Sequence, residues 1–195
     1  MSNKKIKITL IGNCQTKALT WYIQQLSSSF DVKWVAYSSE PLHFSKTNYF
    51  KKRKTPTILN NAWGIKRLED SDYVIFQHIK KETSPKFHFE NIKKYAKNAK
   101  LISISSMIYD PDDPEEKFLK GMIKRAEIFN IDIPAHKIVN KCKGRIKMRE
   151  DEGLPRHPSV IYFLELVREI CVKAEWSFYS EKKYQKYLKE KYPFG

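Results

Sequence analysis

Apolar residues follow two rhythms along this chain, and each rhythm marks a different kind of element. Ile6 to Ile11 is a short, nearly continuous apolar run that stops at Gly12, which predicts a buried strand closed by a turn. From Gln15 to Ser28 the rhythm changes: Ala18, Leu19, Tyr22, Ile23 and Leu26 recur at helical spacing until Ser27, Ser28 and Ser29 end the pattern. Val32 to Tyr37 predicts a second strand, Asp72 to Gln77 a third, and Leu101 to Ser105 a fourth, with a lysine-rich amphipathic helix from Phe89 to Asn98 before the last. Strands separated by helices imply a parallel sheet with right-handed crossovers. The expected fold is therefore α/β: a parallel sheet of about four strands with a flavodoxin-like start, helices on both faces and a helical C-terminal part.

The later pattern is helical. Asp110-Pro111-Asp112-Asp113-Pro114-Glu115-Glu116 places acidic residues and a proline where a helix begins, and Phe118, Leu119, Met122, Ile123 and Ala126 give that helix a buried stripe. Helix capping accounts for these carboxylates without a metal, and no metal is expected. Pro158 starts a second long helix, whose inward stripe is Val160, Phe163, Leu164, Val167 and Cys171. The aromatic, lysine-rich stretch from Trp176 to Tyr192 is expected to dock on the domain, so residues 158–192 form the C-terminal helices. Residues 39–71 are less regular, with Pro41, Pro56 and the basic run Lys51-Lys52-Arg53-Lys54, and read as a lid or binding loop.

The chemistry concentrates at the first turn. Gly12-Asn13-Cys14-Gln15 presents a thiol at the head of the first helix, where unpaired backbone N–H groups and the helix dipole favour negative charge and stabilise a thiolate. In open parallel sheets, ligands bind beyond the carboxyl ends of the strands, near the point where strand order reverses. Gly12, Gln77, His78 and Ser105 all stand at such strand ends and are candidate ligand contacts. His157, displayed just before a helix-starting proline, is the candidate base for Cys14, and His78 is its rival. Backbone N–H groups at Cys14 and Gln15, with the Asn13 or Gln77 amides, are the candidate oxyanion donors. The basic residues Lys51, Lys52 and Arg53 are candidates to clamp a nucleotide phosphate.

The G-N-C-Q turn after the first strand, the Val74-Ile75-Phe76-Gln77 strand end and the later His157-Pro158-Ser159 resemble the WcbI-type polysaccharide-biosynthesis family. That resemblance implies a coenzyme A-dependent acetyltransferase of capsule assembly, with acetyl-coenzyme A as donor and a sugar hydroxyl of a polysaccharide precursor as acceptor. The plan is similar, more distantly, to SGNH-type esterases, which carry an aspartate three residues before the histidine. Here that position is Leu154, so the third catalytic member is unassigned. A thioesterase or esterase using Cys14 and His157 with water as acceptor is the neighbouring alternative.

Bulk properties bound the rest. With 195 residues, 41% of them hydrophobic, the chain is expected to form one domain over 1–195. No run approaches the roughly 20 apolar residues that span a bilayer, and Met1-Ser2-Asn3-Lys4-Lys5 leads directly into a strand, so a cytoplasmic protein is expected. Cys14, Cys142 and Cys171 lack the spacing of a disulfide framework or a thiolate zinc site, and Cys171 reads as core. A formal net charge of +15 calls for anionic partners, but its lysines are spread along the chain. A phosphate-rich cofactor, an anionic glycan, nucleic acid and the inner membrane face all fit that charge. A basic nucleic-acid-binding module, supported by 13% aromatic residues, is the alternative from another class.

Overall fold

The structure, a computed structural model, describes residues 5–36, 57–58, 61–78, 87–106, 115–142 and 158–190. Its elements run β1 (Ile6–Gly12), α1 (Cys14–Gln24), β2 (Phe30–Ala36), β3 (Thr57–Ile58), α2 (Asn61–Glu69), β4 (Tyr73–Gln77), α3 (Phe89–Tyr95), β5 (Lys100–Ile104), α4 (Glu115–Ile128), α5 (Ala135–Lys141), α6 (Val160–Ala174) and α7 (Glu181–Lys189). The chain divides into two compact units, one up to Ile102 and one from Ser103, with the boundary inside β5.

The first unit is built on the sheet, whose strand order is β3-β2-β1-β4-β5. β1 pairs in parallel with β2 from Ile6 opposite Phe30 to Gly12 opposite Ala36, and with β4 from Ile8 opposite Tyr73 to Ile11 opposite Phe76. The two-residue β3 extends the expected four strands at the β2 edge, where it too pairs in parallel. Because side chains alternate along a strand, each strand feeds two layers. Trp34 reaches α1, hydrogen-bonding Thr16, whereas its neighbour Val35 lies against Gly64 of α2. The α2 and α3 layer is an apolar cluster of Ile11, Val35, Leu68, Val74, Phe76, Phe87, Ile92 and Ala96. The opposite layer holds Ala18, Leu19, Tyr22 and Ile23, the stripe of α1 that the periodicity predicted. Helices thus cover both faces.

α2 falls inside the segment expected as a lid or binding loop. It is tied to the sheet by Arg67, whose guanidinium donates to Asp31 Oδ2 at 2.7 Å, to the Asp31 carbonyl at 2.5 Å and to Thr9 Oγ1 at 3.2 Å. Gly64 lets α2 approach closely, since a Cβ there would stand 3.1 Å from both Phe87 and Val35. The Lys51-Lys52-Arg53-Lys54 run of that segment lies outside the described residues.

The second unit is helical. α4 buries Met122 and Ala126 as expected, but Ile123, assigned to the same stripe, is 39% exposed. The stripe is narrower than the apolar pattern suggested. α6 is wider: Tyr162, Leu166 and Ile170 join Phe163, Leu164, Val167 and Cys171 in the core. Val160, placed in that stripe by the periodicity, is only half-buried. Cys171 is core, its thiol 3.9 Å from the Ser177 carbonyl. Cys142, at the end of α5, is also buried. The tail docks through α7: Tyr184 donates to Glu165 at 2.8 Å, and the Arg168 guanidinium lies 4.4 Å from the Phe178 ring and 5.1 Å from that of Tyr184. Among the described residues no helix is long and apolar enough to cross a membrane.

Candidate active site at the first strand turn

β1 lies where strand order reverses, flanked by β2 on one side and β4 on the other. The chain leaves β1 at Gly12 and enters α1 at Cys14, so the thiol-bearing turn sits at the position where open parallel sheets bind ligands. The pairing that sets Ile11 opposite Phe76 carries Gln77 alongside Gly12.

Asn13 is the N-cap. Its backbone is extended, with φ −82° and ψ −165°, and its side-chain Oδ1 accepts the Gln15 N–H at 2.9 Å. The Asn13 carbonyl accepts from the Thr16 N–H at 3.0 Å and from Thr16 Oγ1 at 2.7 Å. Asn13 N–H donates to Gln77 Oε1 at 3.0 Å. Across the turn, the Trp34 indole N–H donates to the Gly12 carbonyl at 3.2 Å and to Thr16 Oγ1 at 3.0 Å. Glycine is required at position 12 by space: a Cβ would come within 2.4 Å of Gln77 Oε1 and 2.6 Å of Thr16 Cγ2.

This geometry changes the expected roles. Asn13 acts on the helix as its cap, and the Gln77 carbonyl oxygen is engaged by the turn, so both side chains shape the site from within. The thiol also differs from expectation. Burial pushes the Cys14 thiol above its ordinary range, while the backbone N–H groups of Cys14 and Gln15 and the Lys17 ammonium pull against that rise. Desolvation outweighs the helix head, and Cys14 stands as a thiol at neutral pH until a base takes its proton. Lys17, one helical turn on from Cys14, is half-buried with its ammonium 5.3 Å from the Trp34 ring. Burial lowers its pKa, and the nearby thiol raises it.

His78 follows Gln77 and packs against Phe89, ring centroids 5.1 Å apart, and Phe76, 6.2 Å apart. Burial holds its pKa below the usual value despite the opposing charge of Glu90, so the ring is neutral at pH 7 and can accept a proton. The structure thus gathers Gly12, Asn13, Cys14, Gln15 and Gln77 into one turn, with His78 next along β4. Ser105 belongs to the second unit, where its buried hydroxyl has no hydrogen-bond partner among the described residues. His157, Lys51, Lys52 and Arg53 lie outside the described residues. Among the described residues no group of three or more His, Cys, Asp or Glu is placed to hold a metal ion.

Sequence reasoning missed Trp34, Lys17 and Thr16. A tryptophan at the end of a buried strand must find a partner for its N–H, and a lysine three residues after the thiol shares its helix face; both signals were readable. No protein-family model matches the chain, and no curated protein matches it in sequence.

Proposed function

We propose that the first unit houses an acyl-transfer site in which Cys14 takes an acetyl group from acetyl-coenzyme A and passes it to a sugar hydroxyl of a surface-polysaccharide precursor. The observation that carries this reading is a cysteine at the first position of α1, at the switch point of a parallel sheet. The resemblance of the Gly12-Asn13-Cys14-Gln15 turn to the WcbI-type family supplies the donor and acceptor classes. The net charge of +15 suits a phosphate-rich cofactor and an anionic glycan.

The chemistry follows in two balanced steps. A base, His157 or the neutral His78, takes the Cys14 proton, and the thiolate attacks the thioester carbonyl. The new sulfur–carbon bond forms as the bond to coenzyme A breaks, and the departing thiolate receives the proton held by the base. The sugar hydroxyl then attacks the acetyl-cysteine, gives its proton to the base, and expels the Cys14 thiolate, which is reprotonated. The oxyanion of each step needs hydrogen-bond donors, and the backbone N–H of Cys14 is the candidate. Since burial disfavours the thiolate at rest, the base carries much of the activation.

The experiment is a titration of coenzyme A followed by thermal unfolding, with heparin as a polyanion control. A specific site raises stability by RT ln(1 + [L]/Kd), about 2.7 kcal/mol at a hundredfold excess over Kd. A saturable rise for coenzyme A that survives moderate salt supports the cofactor. An equal rise for heparin, abolished by salt, overturns it in favour of charge-driven binding. Release of coenzyme A without any sugar would instead assign water as the acceptor.

A further inference from the structure

The Gly12 carbonyl and the Asn13 N–H belong to one peptide unit, and each is held by a buried side chain from a different neighbouring strand. Trp34 of β2, 2% exposed, donates its indole N–H to the carbonyl at 3.2 Å. Gln77 of β4, 3% exposed, accepts the N–H with Oε1 at 3.0 Å. We propose that Trp34 and Gln77 are positioning residues that clamp the Gly12–Asn13 peptide plane from both sides and thereby aim the turn that presents Cys14. The inference deepens the acyl-transfer reading, since it concerns the same thiol, but it makes its own claim about how that thiol is held.

A peptide plane that follows a glycine has unusual freedom to rotate, because glycine imposes no Cβ clash on its own backbone. Rotation here would reverse the Gly12 carbonyl and the Asn13 N–H and carry the following residues with them. The first residue after the plane is the N-cap, whose side chain fixes the Gln15 N–H at 2.9 Å. The next is Cys14, the first residue of α1. Both ends of the plane are tied to strands hydrogen-bonded to β1, so the thiol inherits the rigidity of the sheet. Thr16 reinforces one end: its hydroxyl accepts from Trp34 at 3.0 Å and donates to the Asn13 carbonyl at 2.7 Å.

Because two side chains hold one rigid plane, their contributions must be coupled. Releasing either end frees the plane, and releasing the second adds little. Independent packing residues on separate strands would show no such coupling.

The test is a double-mutant cycle with Trp34→Phe, which keeps the ring beside Lys17 but removes the N–H, and Gln77→Met, which keeps the length but removes the acceptor. The readout is the rate of Cys14 alkylation by iodoacetamide across pH, assigned by peptide mass because Cys142 and Cys171 are buried. Circular dichroism checks the fold of each variant. Each single variant is expected to slow Cys14 alkylation at neutral pH about threefold or more and to move the half-maximal pH upward, with the double variant no worse than the slower single. Lys17 is unchanged in all of them, so the shift is not the loss of its charge. Folded variants with an unmoved pH profile, or a double variant whose slowing is the product of the two singles, would overturn the clamp. Should Gln77→Met fail to fold, Gln77→Asn, which keeps the amide but shortens its reach, takes its place in the same cycle. No coenzyme A enters the assay, so its outcome is separable from that of the acyl-transfer reading.

Discussion

At the scale of single residues, position 12 is the sharpest constraint in the first unit. The Gln77 amide occupies the space that a side chain would take, with Oε1 2.4 Å from the site of a Cβ. Gly12→Ala therefore forces Gln77 out of its bond to Asn13 or shifts the start of α1. The expected cost is about 1–3 kcal/mol of stability together with faster opening of the turn, read by denaturant unfolding and by hydrogen exchange of the Asn13 amide. Unchanged stability and exchange would mean that Gln77 moves aside freely and does not hold the turn. That Gly12, Cys14 and Gln77 stand at strand ends was legible in the sequence. The inward use of Asn13 and Gln77 was not, because a sequence gives residue types at a turn but not which amide end faces the backbone. The thiol's resting state escaped for a related reason: the helix head was visible at Cys14, whereas the burial that outweighs it depends on tertiary packing.

At the scale of elements, the two long helices and the central strands announced themselves through periodicity, and two helices did not. α2 buries only Gly64 and Leu68 fully among its residues with described side chains, and its large apolar residue, Trp63, points outward at 66% exposure. A glycine chosen for close approach leaves no apolar signal. α5 carries Ala135, Ile138, Val139 and Cys142 at i, i+3, i+4, i+7, but a run of 7 residues is too short to stand out as a helix. The attachment of α2 makes a prediction that belongs to this scale. Burial alone would raise the Asp31 carboxyl, but the Arg67 hydrogen bond and charge, with help from Lys33, hold it below the ordinary range. A depressed folded pKa stabilises the fold above the unfolded value, and that stabilisation is lost as pH falls through the folded one. Arg67→Met is expected to lower stability by about 1–3 kcal/mol near neutral pH and to flatten the loss below about pH 4, measured by urea unfolding across pH. A variant whose acid limb matches the parent's would contradict the role given to the Arg67–Asp31 pair. Asp132 of the second unit is held down in the same sense, by the Ser103 N–H and hydroxyl and by Lys173 at 2.9 Å, against the rise that burial alone would cause. The Arg67→Met variant should therefore still lose some stability in acid, through Asp132, though less than the parent.

At the scale of the whole molecule, the α/β architecture with a helical C-terminal part was readable because alternating strand and helix rhythms leave few topologies open. The strand order β3-β2-β1-β4-β5 puts the candidate site at the end of β1, the strand at which the order turns back. The charge of +15 suits anionic partners without choosing among them. The acyl-transfer proposal rests on Cys14, so the measurement that bears most directly on the account is made there. Protein incubated with acetyl-coenzyme A and quenched in acid should carry an acetyl group on the peptide containing Cys14, and addition of an acceptor sugar should clear it. Cys14→Ala should abolish both the adduct and the release of coenzyme A. An unmodified Cys14 peptide, with coenzyme A release unaffected by Cys14→Ala, would contradict the account and leave the thiol a structural part of the turn.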